Sequence, residues 1–341
     1  MTVRATARGQ ARTSLDGERV DVLVCGASFA GLAVARELAR SGAAIGAGRA
    51  RVLVLDRYEI GERATSACAA PTPWLHAMGV AGSIRSELPF MTFATPHGRV
   101  RYRLPWSWSA FDYRALCEGL WEQCGAPLSR GLEVHPHAGG QGDALDVWVE
   151  RSLVRRGYGW RVPAGDEARI GVGSYEPRHH VREPTMRLAG RLDAEAVRYQ
   201  GNWFPHRLRS AVEDGVFCVG DSAGHCFPLS GEGIRPAFYF GVACGRELAG
   251  VLAGRQDRDT ALARYAAFHE GHAGAFRRAL ALQRLVPALP PRALTLLLRA
   301  LSPQALVDRA FGWYLDQAHP SFASGAGPRP GAVGEALLEA G

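Results

Sequence analysis

The sequence predicts an α/β fold: a Rossmann-like βαβ domain, an inserted β-rich domain and a C-terminal helical segment. Three observations predict it. Residues 21–42, DVLVCGASFAGLAVARELARSG, run apolar strand, glycine turn, helix. Residues 215–252 repeat that order, GVFCVGDSAG leading through GEGI into a long apolar helix. Between them, stretches such as RVRYRLPW and GYGWRVPAGDEARIGVGSY read as strands joined by turns.

Taken in order, residues 1–18 are polar and basic, without the apolar core of a signal peptide, and are expected to form a disordered arm. Asp21 to Cys25 is short, apolar and β-branched, as a buried parallel strand is. Gly26 to Gly31 is a tight turn. Leu32 to Arg40 has helical spacing, with Leu32, Ala35 and Leu38 on one face and Arg36, Glu37 and Arg40 opposite. The helix start offers free N–H groups and the positive end of a dipole to a pyrophosphate. The fingerprint is GxSxxG: Gly26 permits the turn, Gly31 permits close helix–strand packing, and Ser28 stands at the middle glycine. Phe29 and Ala30 complete the cradle. A second strand, RVLVLDR, ends in Asp56 and Arg57; an acid there accepts from a ribose hydroxyl. Its distance from the glycines exceeds the usual ~20 residues, and the small-residue insertion SGAAIGAGRA accounts for the excess.

Farther on, Pro73 to Met78 can start a short helix, and residues 84–110 read as strands broken at Pro105. FDYRALCEGLWEQCG is an amphipathic helix with Gly125 as its stop. Residues 126–150 read as irregular, with a loop at Gly139 to Gly142, and residues 183–200 as a surface helix. Residues 255–318 are helical, broken at Pro287 and Pro290-Pro291, and the Gly/Ala/Pro-rich tail from Ser321 is expected without structure apart from a short helix near its end. The expected division is 19–80, 110–150 and 205–254 for the nucleotide domain, 81–109 and 151–204 for the substrate domain, 255–320 for the C-terminal helices and 321–341 for a flexible tail.

Composition narrows the chemistry. The 341 residues carry a net charge of +7 spread along the chain, with no nucleic-acid footprint. All 40 basic residues are arginine. With no lysine, Schiff-base chemistry and a Walker A loop are excluded. The seven cysteines (25, 68, 117, 124, 218, 226 and 244) form no CxxC pair; Cys25, Cys218 and Cys244 lie in apolar runs, as buried thiols of a reducing compartment do. No run is long and apolar enough to span a membrane, so a cytoplasmic location is expected. Nothing in the sequence sets an oligomeric state.

The most specific motif is GVFCVGDSAGHCFPLSGEGIRPAFYFG. Its strand delivers Asp221 toward a ribityl or ribose hydroxyl. The turn from Pro228 to Gly233 starts a helix whose N–H groups can stabilise negative charge on a reduced flavin ring. Here the chain resembles the FAD-dependent oxidoreductases of the geranylgeranyl reductase family, within the group that includes aromatic hydroxylases and flavin halogenases. The pattern G-D-x-A-G-x-x-x-P-x-x-G-E-G-I-x-x-A is met by Gly220, Asp221, Ala223, Gly224, Pro228, Gly231, Glu232, Gly233, Ile234 and Ala237. A second pattern, Y-x-W-x-F-P then G-x-G, is met by Tyr158, Trp160, Pro163, Gly171 and Gly173, with Val162 replacing phenylalanine. The resemblance covers roughly residues 18–250 and implies FAD as cofactor, a cavity beside the flavin lined by Tyr158 and Trp160, and a small apolar substrate.

Several residues carry two readings. Arg114 matches an arginine aimed at the FAD pyrophosphate in related flavoproteins, or is a solvated helix arginine. Cys68 stands where the family places a cysteine near the flavin; it orients substrate or donates a proton there, or is inert packing. His225 is a proton donor or a loop histidine with a structural bond. Trp106, Trp108, Phe111 and Tyr113 line an isoprenoid cavity or pack the core. The family's usual A-D-G strand is absent from residues 128–152.

Three functions compete. The first is a reductase of carbon–carbon double bonds in a prenyl or similar apolar chain, with NAD(P)H one candidate electron source. The second is a flavin monooxygenase, against which Arg235 stands for the expected asparagine and Phe240 for the aspartate. A flavin halogenase is excluded by the lack of lysine. The third is a non-catalytic flavin- or lipid-binding relative, with helices between Ala281 and Trp313 available for a peripheral membrane contact.

Overall fold

The computed structural model describes residues 19–42, 51–56, 58, 60–62, 64, 66–124, 142–176, 179–194 and 204–325. The arm at 1–18, the insertion at 43–50, Arg57, Gly125, the Gly139–Gln141 loop, residues 195–200 and the tail after 325 lie outside them.

Strands β1 (Val22–Cys25) and β2 (Val52–Leu55) pair in parallel, from Val22 opposite Val52 to Cys25 opposite Leu55. Helix α1 (Phe29–Arg40) joins them, beginning directly at the turn and not at Leu32. The expectation of a strand buried on both faces is corrected. Val22 and Val24 enter the core, but Leu23 is 51% exposed and Cys25 is exposed. Among the described residues this parallel sheet has two strands. Cys218 is half-buried, which leaves Cys244 as the buried thiol of the three.

Helix α1 is also more enclosed than its amphipathic pattern predicts. Gly31 through Leu38 are all buried, Arg36 and Glu37 included. The cause is packing from both sides, by α3 (Tyr113–Glu122) and α5 (Ile234–Leu252). A Cβ on Gly241 would sit 2.8 Å from the Ala30 carbonyl and from Ala33 Cβ; one on Gly245 would sit 2.7 Å from Glu37 Cβ. Glycines four apart thus let α5 lie almost backbone to backbone on α1. The buried charges satisfy each other: Arg36 Nη1 donates to Glu37 Oε1 at 2.9 Å, Arg36 Nε to Gln123 Oε1 at 2.6 Å. Burial without these partners would cost several kcal/mol.

The second layer is a six-stranded sheet. Its order is β3 (Ala69–Pro71), β5 (Gly98–Phe111), β4 (Ile84–Thr95), β6 (Ala144–Trp148), β7 (Gly157–Ala164) and β8 (Glu167–Ser174). All neighbours are antiparallel except β4 and β6. β6 lies inside the stretch read as irregular; its five residues are too few to show a period. Pro105 does not end a strand. It falls in a bulge of β5, where Leu88 and Phe90 of β4 face Trp108 and Arg103, a place that tolerates a missing N–H.

The segment read as a buried strand before Asp221 is also corrected. Only Val216–Phe217 is strand (β10), and it pairs antiparallel with Val212–Glu213 (β9), Val216 being 58% exposed. Helix α2 (Thr72–Ala77) precedes the large sheet in the chain, and α4 (Arg182–Arg191) covers β8. After α5 come α6 (Arg258–Gly271), α7 (Ala273–Leu285), α8 (Pro291–Ala300) and α9 (Gln304–Asp316). The last two clamp the large sheet: Tyr102 Oη donates to the Leu298 carbonyl at 2.6 Å, and Thr95 Oγ1 meets Thr295 Oγ1 at 2.6 Å. The start of the expected tail, Ser321 to Gly325, is packed against the body. Phe322 packs on Tyr239 and Phe268, with ring centroids 4.6 and 5.5 Å away, and Ala323 is buried. No described helix is long and apolar enough to cross a membrane.

The glycines make a direct test. Gly241→Val forces α5 off α1 and is expected to cost about 3 kcal/mol. Gly312, inside α9, has nothing within 4 Å of its Cβ position, so Gly312→Ala should gain about 0.5–1 kcal/mol. Denaturant midpoints measure both; equal shifts would contradict the packing described.

Candidate cofactor and substrate site

One cleft of about 2420 Å³ runs between the two layers and borders both sequence motifs. That is more than twice the upper end of an ordinary small-molecule pocket, about 1000 Å³. Gly26, Ser28, Phe29, Ala30 and Gly31 border it from the β1–α1 turn, and Gly220, Asp221, Gly231, Glu232, Gly233 and Ile234 from the second motif. The α1–α5 contact brings these turns together. A Cβ on Gly220 would lie 3.1 Å from Ala30 Cβ, and one on Gly31 would run into the Gly26 carbonyl. Cys68, Arg114, Tyr158 and Trp160 border the same cleft. Asp56 and Pro228 do not. Pro228 is buried, and Asp56 holds the turn: its Oδ2 accepts from Ala27 N–H at 2.7 Å and its Oδ1 from Tyr58 N–H at 2.9 Å.

Ser28 precedes α1 without capping it; its Oγ accepts from Tyr113 Oη at 3.0 Å. Phe29 is an aromatic hub, edge-on to Phe111, Tyr113 and Phe238 at 6.1, 5.4 and 5.7 Å. The expected cluster of Trp106, Trp108, Phe111 and Tyr113 therefore divides. Trp108 and Tyr113 line the cleft, Phe111 and Tyr113 also meet Phe29, and Trp106 packs edge-on to His319 at 5.1 Å.

The G-x-G opposite Y-x-W has a steric reason. Tyr158 pairs with Gly173 and Trp160 with Gly171 across β7 and β8. The Trp160 indole occupies the space where a Gly171 side chain would be, and it lies 3.4 Å from the Cβ position of Gly173. Two glycines make the floor on which the tryptophan lies. Tyr158 Oη donates to the Ser230 carbonyl and Tyr175 Oη to the Leu229 carbonyl. Leu229 has φ +73, a strained value for a leucine, and its N–H donates to Gln283 Oε1 at 2.8 Å. The loop is thus held from three elements.

Glu232 is committed within that loop. It forms a two-pronged pair with Arg235, both contacts 2.8 Å, and accepts from Tyr314 Oη. Arg235 is fully buried and also donates to the carbonyls of Tyr314 and Leu315. Removing one member of such a pair costs about 3–5 kcal/mol. Arg235, Tyr175, Gln283 and Tyr314 were missed as site residues. The Glu232–Arg235 spacing of one helical turn was a visible signal; Tyr314 had none, lying far along the chain.

Cys68 is buried at φ +52, and its Sγ donates to the Ser66 carbonyl at 3.3 Å. Burial pushes its thiol up to about 12, so it is held protonated. Arg169 pins the same loop, donating to the carbonyls of Ala67, Cys68 and Phe111. Asp221 opens to the cleft, and desolvation by the protein around it raises its carboxyl.

His225 takes the structural role. Gly220 N–H donates to its Nδ1 at 3.1 Å, so Nε2 carries the proton and donates to His269 Nδ1 at 3.0 Å. The ring stacks on Phe240 at 3.8 Å. His269 Nε2 is buried without a hydrogen-bond partner. Burial lowers the pKa of His225, His269 and His272.

From the outer end, Met91, Phe93, Trp108, Leu145, Val147 and Val162 line the cleft from the large sheet, and Leu294, Leu297, Leu298, Leu301 and Phe311 from α8 and α9.

No family model matches the chain. It is 29% identical over 119 residues to the digeranylgeranylglycerophospholipid reductase of Methanococcus vannielii, covering 32% of this chain and 30% of the relative. It is 30% identical over 137 residues to the geranylgeranyl diphosphate reductase of Rhodobacter capsulatus, covering 39% and 35%. The matches thus span about a third of the length of these curated relatives. Among solved structures, a geranylgeranyl bacteriochlorophyll reductase-like protein from Thermoplasma acidophilum superposes with TM-score 0.72 at 14% identity, over 88% of this chain and 96% of that one. A probable FAD-dependent monooxygenase from Pseudomonas aeruginosa gives 0.53 at 15% identity, over 77% and 99%.

The histidines predict a pH dependence. Their folded-state proton affinity is depressed, so the unfolded chain binds more protons as pH falls through about 6.5, its ordinary histidine value. Stability should be full above that pH and fall below it, by up to about 1.4 kcal/mol per pH unit for each histidine. Denaturant midpoints from pH 8 to 5.5 check this, and His225→Gln should flatten the slope; an unchanged slope would contradict the buried neutral pair. Over about a third of its length the chain is similar to geranylgeranyl reductases, and it has the mixed α/β fold seen in FAD-dependent oxidoreductase structures.

Proposed function

We propose that the chain is an FAD-dependent oxidoreductase that reduces carbon–carbon double bonds of an isoprenoid or similar apolar substrate. The observation that carries this reading is the single cleft on which both glycine turns and an apolar arm open. The residues fit the cofactor. The β1–α1 turn, with Gly26, Ser28, Phe29, Ala30 and Gly31, would take the diphosphate, with Arg114 beside it, and Asp56 would hold that turn in shape through Ala27 N–H. Gly220, Asp221 and the turn from Pro228 to Ile234 would take the ribityl chain and ring, Glu232 acting through its pair with Arg235. Gly220 and Gly31 leave no side chain in the way.

Reduced FAD, when bound, supplies a hydride to one alkene carbon. The protein holds the rest of the chemistry. Cys68 lines the cleft with its proton committed to the Ser66 carbonyl, so it would orient the substrate and not act as the acid. Trp160 on its glycine floor and Tyr158 on the Ser230 carbonyl position the alkene, and the apolar arm excludes water. NAD(P)H is one candidate for restoring the electrons.

A second reading rests on a specific observation. The two-stranded parallel sheet with its exposed Leu23 suits a relative that binds flavin or lipid without turnover. The hydroxylase reading has less support, because Arg235 is locked in a buried ion pair where that class carries asparagine.

Anaerobic incubation of dithionite-reduced protein with a prenyl alcohol or diphosphate separates them. The proposed enzyme adds two hydrogens per double bond, read by mass spectrometry, without consuming oxygen. Trp160→Ala should lower the rate about tenfold or more, near 1.4 kcal/mol of barrier, with the flavin still bound, whereas Asp221→Ala should lose flavin. Flavin-loaded protein that leaves every prenyl chain unchanged would contradict the reductase.

A further inference from the structure

We propose that Arg207 and Arg209, with His206, form a phosphate-binding rim on the cleft, receiving the anionic end of a ligand whose remainder lies inside. This deepens the reading of the cleft as a cofactor and substrate site and rests on it.

The segment is fixed at both ends. Arg209 N–H donates to the Ala223 carbonyl at 3.0 Å. Gly224, at φ +73, leaves its Cβ position to the Arg207 carbonyl, so the backbones touch. Upstream, the Phe204 ring lies 3.4 Å from the Cβ position of Gly231. Leu208 turns into the core, while His206, Arg207 and Arg209 all border the cleft. Two guanidiniums are thereby presented from one short, anchored stretch, both exposed.

Their charge is not neutralised. Among the described residues no carboxylate lies within ion-pair distance of Arg207 or Arg209. Of the other cleft arginines, Arg169 is committed to Glu167 at 2.7 Å and Arg85 to Asp166 at 2.6 Å. His179 and His180 border the same cleft. Glu176, which borders the cleft, is shared between His179 at 4.0 Å and Arg156 at 3.7 Å. Like charges held two residues apart on a rigid backbone repel until an anion bridges them. A guanidinium fork matches phosphate oxygens two at a time, and the fixed backbone spares the cost of ordering. The chemical class is therefore a phosphate or diphosphate ester. It has two sources: the head group of a prenyl substrate or the phosphates of a nicotinamide dinucleotide.

The test is titration of purified protein with inorganic pyrophosphate by calorimetry at low salt. The Arg207→Gln/Arg209→Gln variant should weaken binding about tenfold or more per guanidinium, with its flavin absorbance and melting midpoint unchanged. A parallel rise in KM for a prenyl diphosphate but not the prenyl alcohol assigns the rim to the substrate; a rise for NADPH assigns it to the reductant. Unchanged pyrophosphate affinity in the variant overturns the proposal, as does loss of flavin, which would give the arginines to the cofactor. Because the titration needs no turnover, pyrophosphate binding that the variant weakens, in protein that takes up no added FAD, would sink the cofactor reading and leave the rim standing.

Discussion

The close contact between α1 and α5 decides what the rest of the molecule can be. Gly241 and Gly245 remove the side chains that would hold the helices apart, and Ala30, Ala33 and Val34 meet them. Both helices then start at the same end of the layer, and each is preceded by a glycine turn. The turns share one cleft because their helices share one interface. The buried Arg36–Glu37 pair is a consequence, since a helix enclosed from both sides must satisfy its charges within itself and on the elements that enclose it, as Gln123 and Arg246 do.

The second motif is rigid for a different reason. Its loop contains a leucine in a left-handed conformation, a state costing about 1–3 kcal/mol. That state persists because Tyr158, Tyr175 and Gln283 each hold a backbone group of the loop, and Arg235 ties its glutamate to α9. The large sheet and the C-terminal helices are therefore part of the site. They fix the loop on one side and close the apolar arm on the other.

Much of this was legible in the sequence. The β1–α1 turn and the Gly231–Ile234 turn announce themselves by glycines that only special backbone geometry requires. The strands carrying Tyr158 and Trp160 alternate cleanly, and their opposed glycines were visible as a spacing, although the reason, a flat indole, was not. What escaped was set by partners distant in the chain. Arg36 and Glu37 look solvent-facing until α3 and α5 close over them. Leu23 and Val216 look buried until the sheet around them proves narrow. Phe322 looks like part of a loose tail until Tyr239 and Phe268 supply its pocket.

The central claim is that two turns, joined through one helix contact, hold one dinucleotide. Titrating FAD into flavin-free protein, followed by flavin fluorescence, tests it most directly. The account predicts saturation at one FAD per chain, abolished in Gly31→Val by the side chain pressed against the Gly26 carbonyl and unaffected in Gly312→Ala. Protein that takes up no FAD, or a Gly31→Val variant that binds it as tightly as the parent, would contradict the account.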